Sequence, residues 1–97
     1  MTTSQLRTYQ LPADPSEREQ WLAWFQEVRA LRERHGFKVV VAALDSQTGE
    51  LNWLLEYDGD DFAAAEQAMI ESADRAELFA RPRPAITIIR TAMVDRV

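Results

Sequence analysis

Phe37-Lys38-Val39-Val40-Val41-Ala42-Ala43-Leu44, then Asp45-Ser46-Gln47-Thr48-Gly49, then Leu51-Asn52-Trp53-Leu54-Leu55-Glu56-Tyr57, is the stretch on which the fold turns. Its opening run is rich in valine and apolar almost without interruption, the pattern of a strand buried on both faces. The loop closes on a glycine placed for positive φ, and the second apolar run resumes as a strand, so the two predict a hairpin. Asp58-Gly59-Asp60 ends it, and Asp60 is well placed to cap a following helix.

Upstream, Trp21, Trp24, Phe25, Val28 and Leu31 fall at spacings of three and four, one apolar stripe of a helix whose remaining surface is polar. Two starts are open to it: Asp14 as N-cap with Pro15 in the first helical position, or Ser16 as N-cap with Glu19 closing a capping box. His35 and Gly36 end it, the glycine suiting a left-handed turn. Before this helix, Gln5 to Leu11 alternates well enough for a short strand, stopped by Pro12.

Downstream, Phe62, Ala65, Met69, Ala73, Ala76 and Phe79 mark a second helix. Ser72 and Asp74 inside it are capping residues, Asp74 with Glu77 resembling a second capping box, which predicts a division near Ser72. Pro82 and Pro84 stop the helix, and Ala85 to Val94, with Ile86, Ile88 and Ile89, is the last strand.

Strand, helix, strand, strand, helix, strand is the order of the ferredoxin-like fold: an α+β domain, here spanning residues 1–97, with an antiparallel four-stranded sheet and two helices on one face. The other face is bare. Yet Val39 to Leu44, Trp53 to Leu55, and Ile88 with Ile89 are apolar in succession, as though both faces were covered. A two-fold dimer stacking two such sheets would cover the second face, and would enclose a cavity suited to a small apolar ligand.

With 97 residues there is room for one core, and 46% hydrophobic with 28% charged residues is the composition of a folded domain. The net charge is -5, and it is uneven: five bases face five acids in residues 1–35, but six bases face eleven acids in residues 36–97. Without a basic stripe, nucleic acid and anionic membrane surfaces are not expected partners. The absence of cysteine excludes disulfides, thiolate nucleophiles and zinc-thiolate sites. Met1-Thr2-Thr3-Ser4-Gln5 lacks the charged start and apolar run of a leader, and no stretch approaches a membrane span, so a cytoplasmic protein is expected.

Leu6-Arg7-Thr8-Tyr9 with Leu11, the Trp-rich helix ending His35-Gly36-Phe37-Lys38-Val39-Val40, Trp53-Leu54-Leu55-Glu56-Tyr57-Asp58-Gly59, and Ala76-Glu77-Leu78-Phe79-Ala80-Arg81 are words that together resemble the NIPSNAP family of the dimeric α/β-barrel superfamily. The likeness covers nearly the whole chain, and departs where Ser72-Ala73-Asp74 stands in place of a helix-leading Ser-Pro-Glu. It implies a ferredoxin-like protomer, a dimeric barrel and a family whose activity is largely undefined. It also implies kinship to cofactor-free monooxygenases, haem-degrading enzymes and small isomerases, although a fold does not carry chemistry with it.

Among candidate site residues, Arg7 and Tyr9 share one side of the first strand, and Asn52, Leu54 and Glu56 share one side of the third, its expected neighbour. If those sides coincide, Arg7 pairs with Glu56, and Tyr9 and Asn52 add hydrogen-bonding groups to a mostly apolar cavity; the plain alternative is a structural salt bridge or a solvated rim. Arg90 stands in line with Ile86 and Ile88, where it would either hold an anionic ligand or serve as an edge-strand charge. His35, the only histidine, is the one imidazole available as base or haem ligand, but also sits where a helix terminus favours positive charge. Trp21, Trp24 and Trp53 suit a core better than a stacking site, and Asp58, Asp60 and Asp61 suit helix capping better than a cation. No phosphate loop, nucleophile elbow or metal-ligand spacing occurs, and neither a cofactor nor a metal is expected.

The expectation is therefore a homodimer that binds a small, partly apolar molecule, lined by Arg7, Tyr9, Asn52, Glu56 and Arg90. A cofactor-independent monooxygenase or isomerase, with Arg7 steadying an enolate, is the first alternative. A purely structural dimerisation module is the second.

Overall fold

The computed structural model describes all 97 residues, Met1–Val97. Along the chain run β1 (Thr2–Gln10), α1 (Pro15–Arg34), β2 (Phe37–Leu44), β3 (Glu50–Asp58), α2 (Phe62–Ile70), α3 (Ala73–Phe79) and β4 (Thr87–Val94). The strands form one sheet in the order β2-β3-β1-β4, every pairing antiparallel. This is the ferredoxin-like α+β fold that the order of elements predicts.

Local chemistry accounts for most boundaries. Asp14 caps α1, accepting from the Ser16 and Glu17 amides at 2.8 and 3.0 Å, with Pro15 in the first turn, so the first of the two possible starts is used. The second helix is divided where Ser72 interrupts it: α2 ends at Ile70, and Ser72 caps α3 by accepting from the Arg75 amide. One cap is corrected. Asp61, not Asp60, caps α2, accepting from the Ala64 amide at 3.0 Å, because the helix begins at Phe62 and only the residue just before it can reach the third amide. β1 also begins earlier than the alternation suggests, and β4 later, at Thr87.

Gly49 is fixed by its surroundings. Its φ is 78°, and a Cβ there would come within 2.6 Å of the Arg18 guanidinium. That guanidinium ties the loop to α1 by donating to the Pro12 and Ser46 carbonyls.

Residues directly opposite in an antiparallel pair share a face. Gln5↔Leu55, Arg7↔Trp53 and Tyr9↔Leu51 therefore lie together, and the near-complete burial of Leu51, Trp53 and Leu55 marks that face as the one under the helices. Leu6↔Leu54, Thr8↔Asn52 and Ser4↔Glu56 lie on the other, open face. Two irregularities break the alternation, one in β2 between Val39 and Val41 and one where β1 meets β4 between Thr8 and Tyr9.

The core is aromatic. Trp21 stacks on Phe25 at 5.2 Å between centroids, Phe25 meets Trp53 edge-on at 4.9 Å, and Tyr9 meets both tryptophans edge-on at 5.9 Å. Each such ring contributes roughly 1.5–3 kcal/mol by leaving water. Within one chain the helices cover one face only. Val41 is 51% exposed on the other, and β4 lies nearly bare, with Ile88, Ile89 and Met93 more than half exposed. No helix is long and apolar enough to cross a membrane.

Candidate functional site

A cavity of about 250 Å3 lies between the sheet and the helices. An apolar cavity of about 150 Å3 takes a benzene, so this one has room for a substituted ring or two fused rings. All three tryptophans of the protein line it, together with Phe25, Val28 and Met69. Ile70, Arg83 and Ile88, lining residues that are also exposed, rim its mouth beside β4.

Set into this apolar wall is a compact charged cluster. Arg7 projects from β1 on the helix side, and its Nε donates to the Tyr9 hydroxyl at 2.8 Å. Its Nη1 donates to Gln5 Oε1 at 2.9 Å and to Glu66 Oε2 at 3.4 Å. Arg32, near the end of α1, donates from Nη1 to the same Glu66 oxygen at 2.9 Å. One carboxylate from α2 thus holds two guanidiniums.

Arg32 is the deeper of the two, its side chain 7% exposed. Burial pulls its pKa below the ordinary arginine value, and the Glu66 hydrogen bond opposes that pull. Both guanidiniums lie within 6 Å of the Trp53 ring centroid, and Arg32 lies 5.1 Å from that of Phe37. Toward the mouth, Arg75 sits over Phe79 at 3.9 Å and Arg83 over Trp24 at 4.2 Å.

Three buried side-chain donors have no partner: Arg32 Nε, Trp53 Nε1 and Arg75 Nε. All three belong to residues that line this cavity. Buried polar groups are almost always hydrogen-bonded, and a donor left without an acceptor costs about 1–3 kcal/mol. Two of them, on Arg32 and Trp53, belong to the inner cluster, and the third, on Arg75, stands toward the mouth.

Of the five residues singled out from the sequence, the structure brings Arg7 and Tyr9 together at the cavity and leaves the other three on the open face. The pairing of Arg7 with Glu56 does not form. The register sets Arg7 opposite Trp53 and Glu56 opposite Ser4, so the Arg7 and Glu56 side chains point to opposite sides of the sheet; Glu56 is bound by Arg96 instead, and Arg7 by Glu66. Asn52 accepts from the Thr8 hydroxyl at 2.6 Å, also on the open face. Arg90 is not aligned with Ile86 and Ile88, since the irregularity at Ile89 shifts the register and sets Arg90 opposite Thr8. His35 lies outside the cavity, capping α1, with its ring 3.1 Å from the Asp74 carboxylate.

Arg32, Glu66, Arg75 and Arg83 were not singled out. A signal existed for the first two: Arg32 stands four residues after Val28, and Glu66 four after Phe62, so each is a charge on an apolar stripe.

No family profile matches the chain, and no curated protein sequence does. Solved structures do resemble it. A protein of Mycobacterium tuberculosis superposes with a TM-score of 0.60 at 18% identity, covering 99% of this chain and 98% of its own. A candidate antibiotic biosynthesis monooxygenase from Bacteroides thetaiotaomicron gives 0.58 at 16% identity, over 99% of this chain and 88% of that one. A dimeric ferredoxin-like protein from an uncultured marine organism gives 0.58 at 15% identity, over 100% and 91%. At these identities the likeness establishes the ferredoxin-like fold over the full length of the chain.

Proposed function

We propose that this chain is a NIPSNAP-like homodimer that binds a small, mostly apolar ring compound in the cavity between its sheet and its helices. The observation that carries the reading is the cavity itself, about 250 Å3 walled by aromatic and aliphatic side chains around an arginine pair. A purely structural module would pack such a space, since protein interiors are filled to near crystal density.

Self-association is supported by the open face. Val41 is exposed there, Leu6 and Leu54 are partly exposed, and a resembling protein is dimeric. Contiguous apolar surface of this kind is what a two-fold interface covers.

The reading is tested by NMR, because the indole N–H resonances of Trp21, Trp24 and Trp53 all report on the cavity wall. Titration with 1-naphthol is expected to move them, and Ile86→Phe, which narrows the cavity, is expected to abolish the shifts. Unmoved indole signals would end the reading.

A second reading is favoured by the two guanidiniums and the unpartnered Trp53 Nε1 beside an apolar space, a setting that stabilises an enolate in cofactor-independent oxygenation or isomerisation. Turnover of a quinol panel that falls sharply in Arg7→Ala supports it, and no turnover removes it.

A further inference from the structure

We infer that the cavity selects an organic anion, a ring compound bearing a carboxylate that docks on the wall formed by Arg7, Arg32 and Trp53. The inference rests on the cavity-binding reading and narrows it to one class of ligand.

The charge of the lining is the first ground. The protein carries a net charge of -5, yet four arginines line this cavity, Arg7, Arg32, Arg75 and Arg83, against a single carboxylate, Glu66. Within the inner cluster, two guanidiniums share one glutamate oxygen, at 3.4 and 2.9 Å, which leaves one positive charge uncompensated where water is scarce. Charges in such places are ordinarily paired.

The second ground is the direction of hydrogen bonding. Arg32 is 6% exposed and Trp53 1% exposed, and Arg32 Nε and Trp53 Nε1 are buried donors with nothing to donate to. They belong to one wall, since the Arg32 guanidinium lies 5.9 Å from the Trp53 ring centroid and that of Arg7 lies 5.7 Å from it. Such a wall has donors to spare, and one oxygen of its single carboxylate already accepts from two arginines. A ligand that suits it brings acceptors rather than donors. A carboxylate does so with two oxygens and a negative charge, whereas an amide of the same shape brings one acceptor and two donors. The aromatic remainder of the cavity then takes the ring.

The experiment compares 1-naphthoate with 1-naphthamide by isothermal titration calorimetry on the full chain. Naphthoate is expected to bind at least about tenfold more tightly, as charge-assisted bonds exceed neutral ones. The preference should fall toward parity in Arg7→Gln and grow in Glu66→Gln, which removes the competing carboxylate. These two substitutions push in opposite directions, so a failure of one variant to fold leaves the other decisive. Equal binding of the two compounds, or tighter binding of the amide, overturns the anion inference while leaving the cavity reading standing. Binding of neither ends both. A naphthoate preference unchanged in both variants also overturns it, because the charge is then read elsewhere.

Discussion

The two faces of this sheet are made by the same strands and solve opposite problems. On the helix side, Tyr9, Leu51, Trp53 and Leu55 are buried by the chain's own helices, and the charges that survive there, Arg7, Arg32 and Glu66, are held in one cluster at a cavity. On the open side, two pairs of polar groups bond one another, Thr8 with Asn52 and Glu56 with Arg96, while aliphatic residues such as Val41 stay bare. The unpaired element is therefore polar on one face and apolar on the other. On the function proposed above, the first face receives the ligand and the second a partner chain.

The sharpest way to break this contrast is to truncate neighbours on opposite faces. Trp53→Ala removes a ring 1% exposed that touches core and cavity, and is expected to cost about 3–5 kcal/mol in urea unfolding. Asn52→Ala, the adjacent residue on the other face, should cost about 1 kcal/mol, the worth of one hydrogen bond. Comparable losses would erase the distinction between the faces. Next in size is Glu66→Leu. It strands Arg32 without its carboxylate, and a loss of about 2 kcal/mol is expected, below the range for fully buried pairs because Glu66 is 22% exposed. A loss that persists when Arg7 and Arg32 are also replaced by Met would show that their charges are not the cause.

The elements were legible because each depends on local pattern: the α1 stripe, the proline and glycine stops, and the apolar run of β2 all survive in the structure. The division at Ser72 was legible too, since a side chain that bonds the backbone competes with the helix around it. What the pattern does not carry is parity. β1 offers Leu6 on one side and Tyr9 and Leu11 on the other, and the choice between them rests on pairing with β3, so Arg7 and Glu56 fell on opposite faces. Arg90 went astray for a related reason, because one extra residue at Ile89 inverts everything beyond it along β4. The inner cluster was hidden differently. Arg32 and Glu66 each stand as a charge on an apolar helix stripe, but only the packing of β1, α1 and α2 brings Arg7 and Arg32 to the same Glu66 oxygen.

Leu54→Asp probes the open face directly. Leu54 lies opposite Leu6 at the centre of the sheet and is half-buried within one chain. A carboxylate there faces water in the isolated protomer but would be buried without a partner between two stacked sheets, at a cost of several kcal/mol per dimer. Sedimentation equilibrium should show the native chain at twice the monomer mass and the variant at the monomer mass, with an unchanged circular dichroism spectrum. A native chain that sediments as a monomer would mean that the open face is simply an apolar surface in water.

The smallest effect is expected at the rim of the helix layer, where His35 at the end of α1 and Asp74 in α3 meet at 3.1 Å and Arg34 adds a contact at 3.4 Å. The Ser72 hydroxyl, the His35 ring and Arg34 together hold the Asp74 carboxyl well below the usual carboxylate range. The hydroxyl proton itself points to the Met69 carbonyl at 2.6 Å, so the His35 and Arg34 contacts carry more of that effect than Ser72 does. A carboxyl depressed in the folded state binds fewer protons there than in the unfolded chain. Its contribution is therefore complete above the unfolded pKa, near pH 4, and is lost progressively as the pH falls toward the folded value. Asp74→Asn should lower the urea midpoint slightly at pH 7, and the gap between variant and native protein should shrink steadily below about pH 4. A gap that holds constant into acid would mean that Asp74 acts by shape at the start of α3, and that the helix layer is joined at this rim by packing alone.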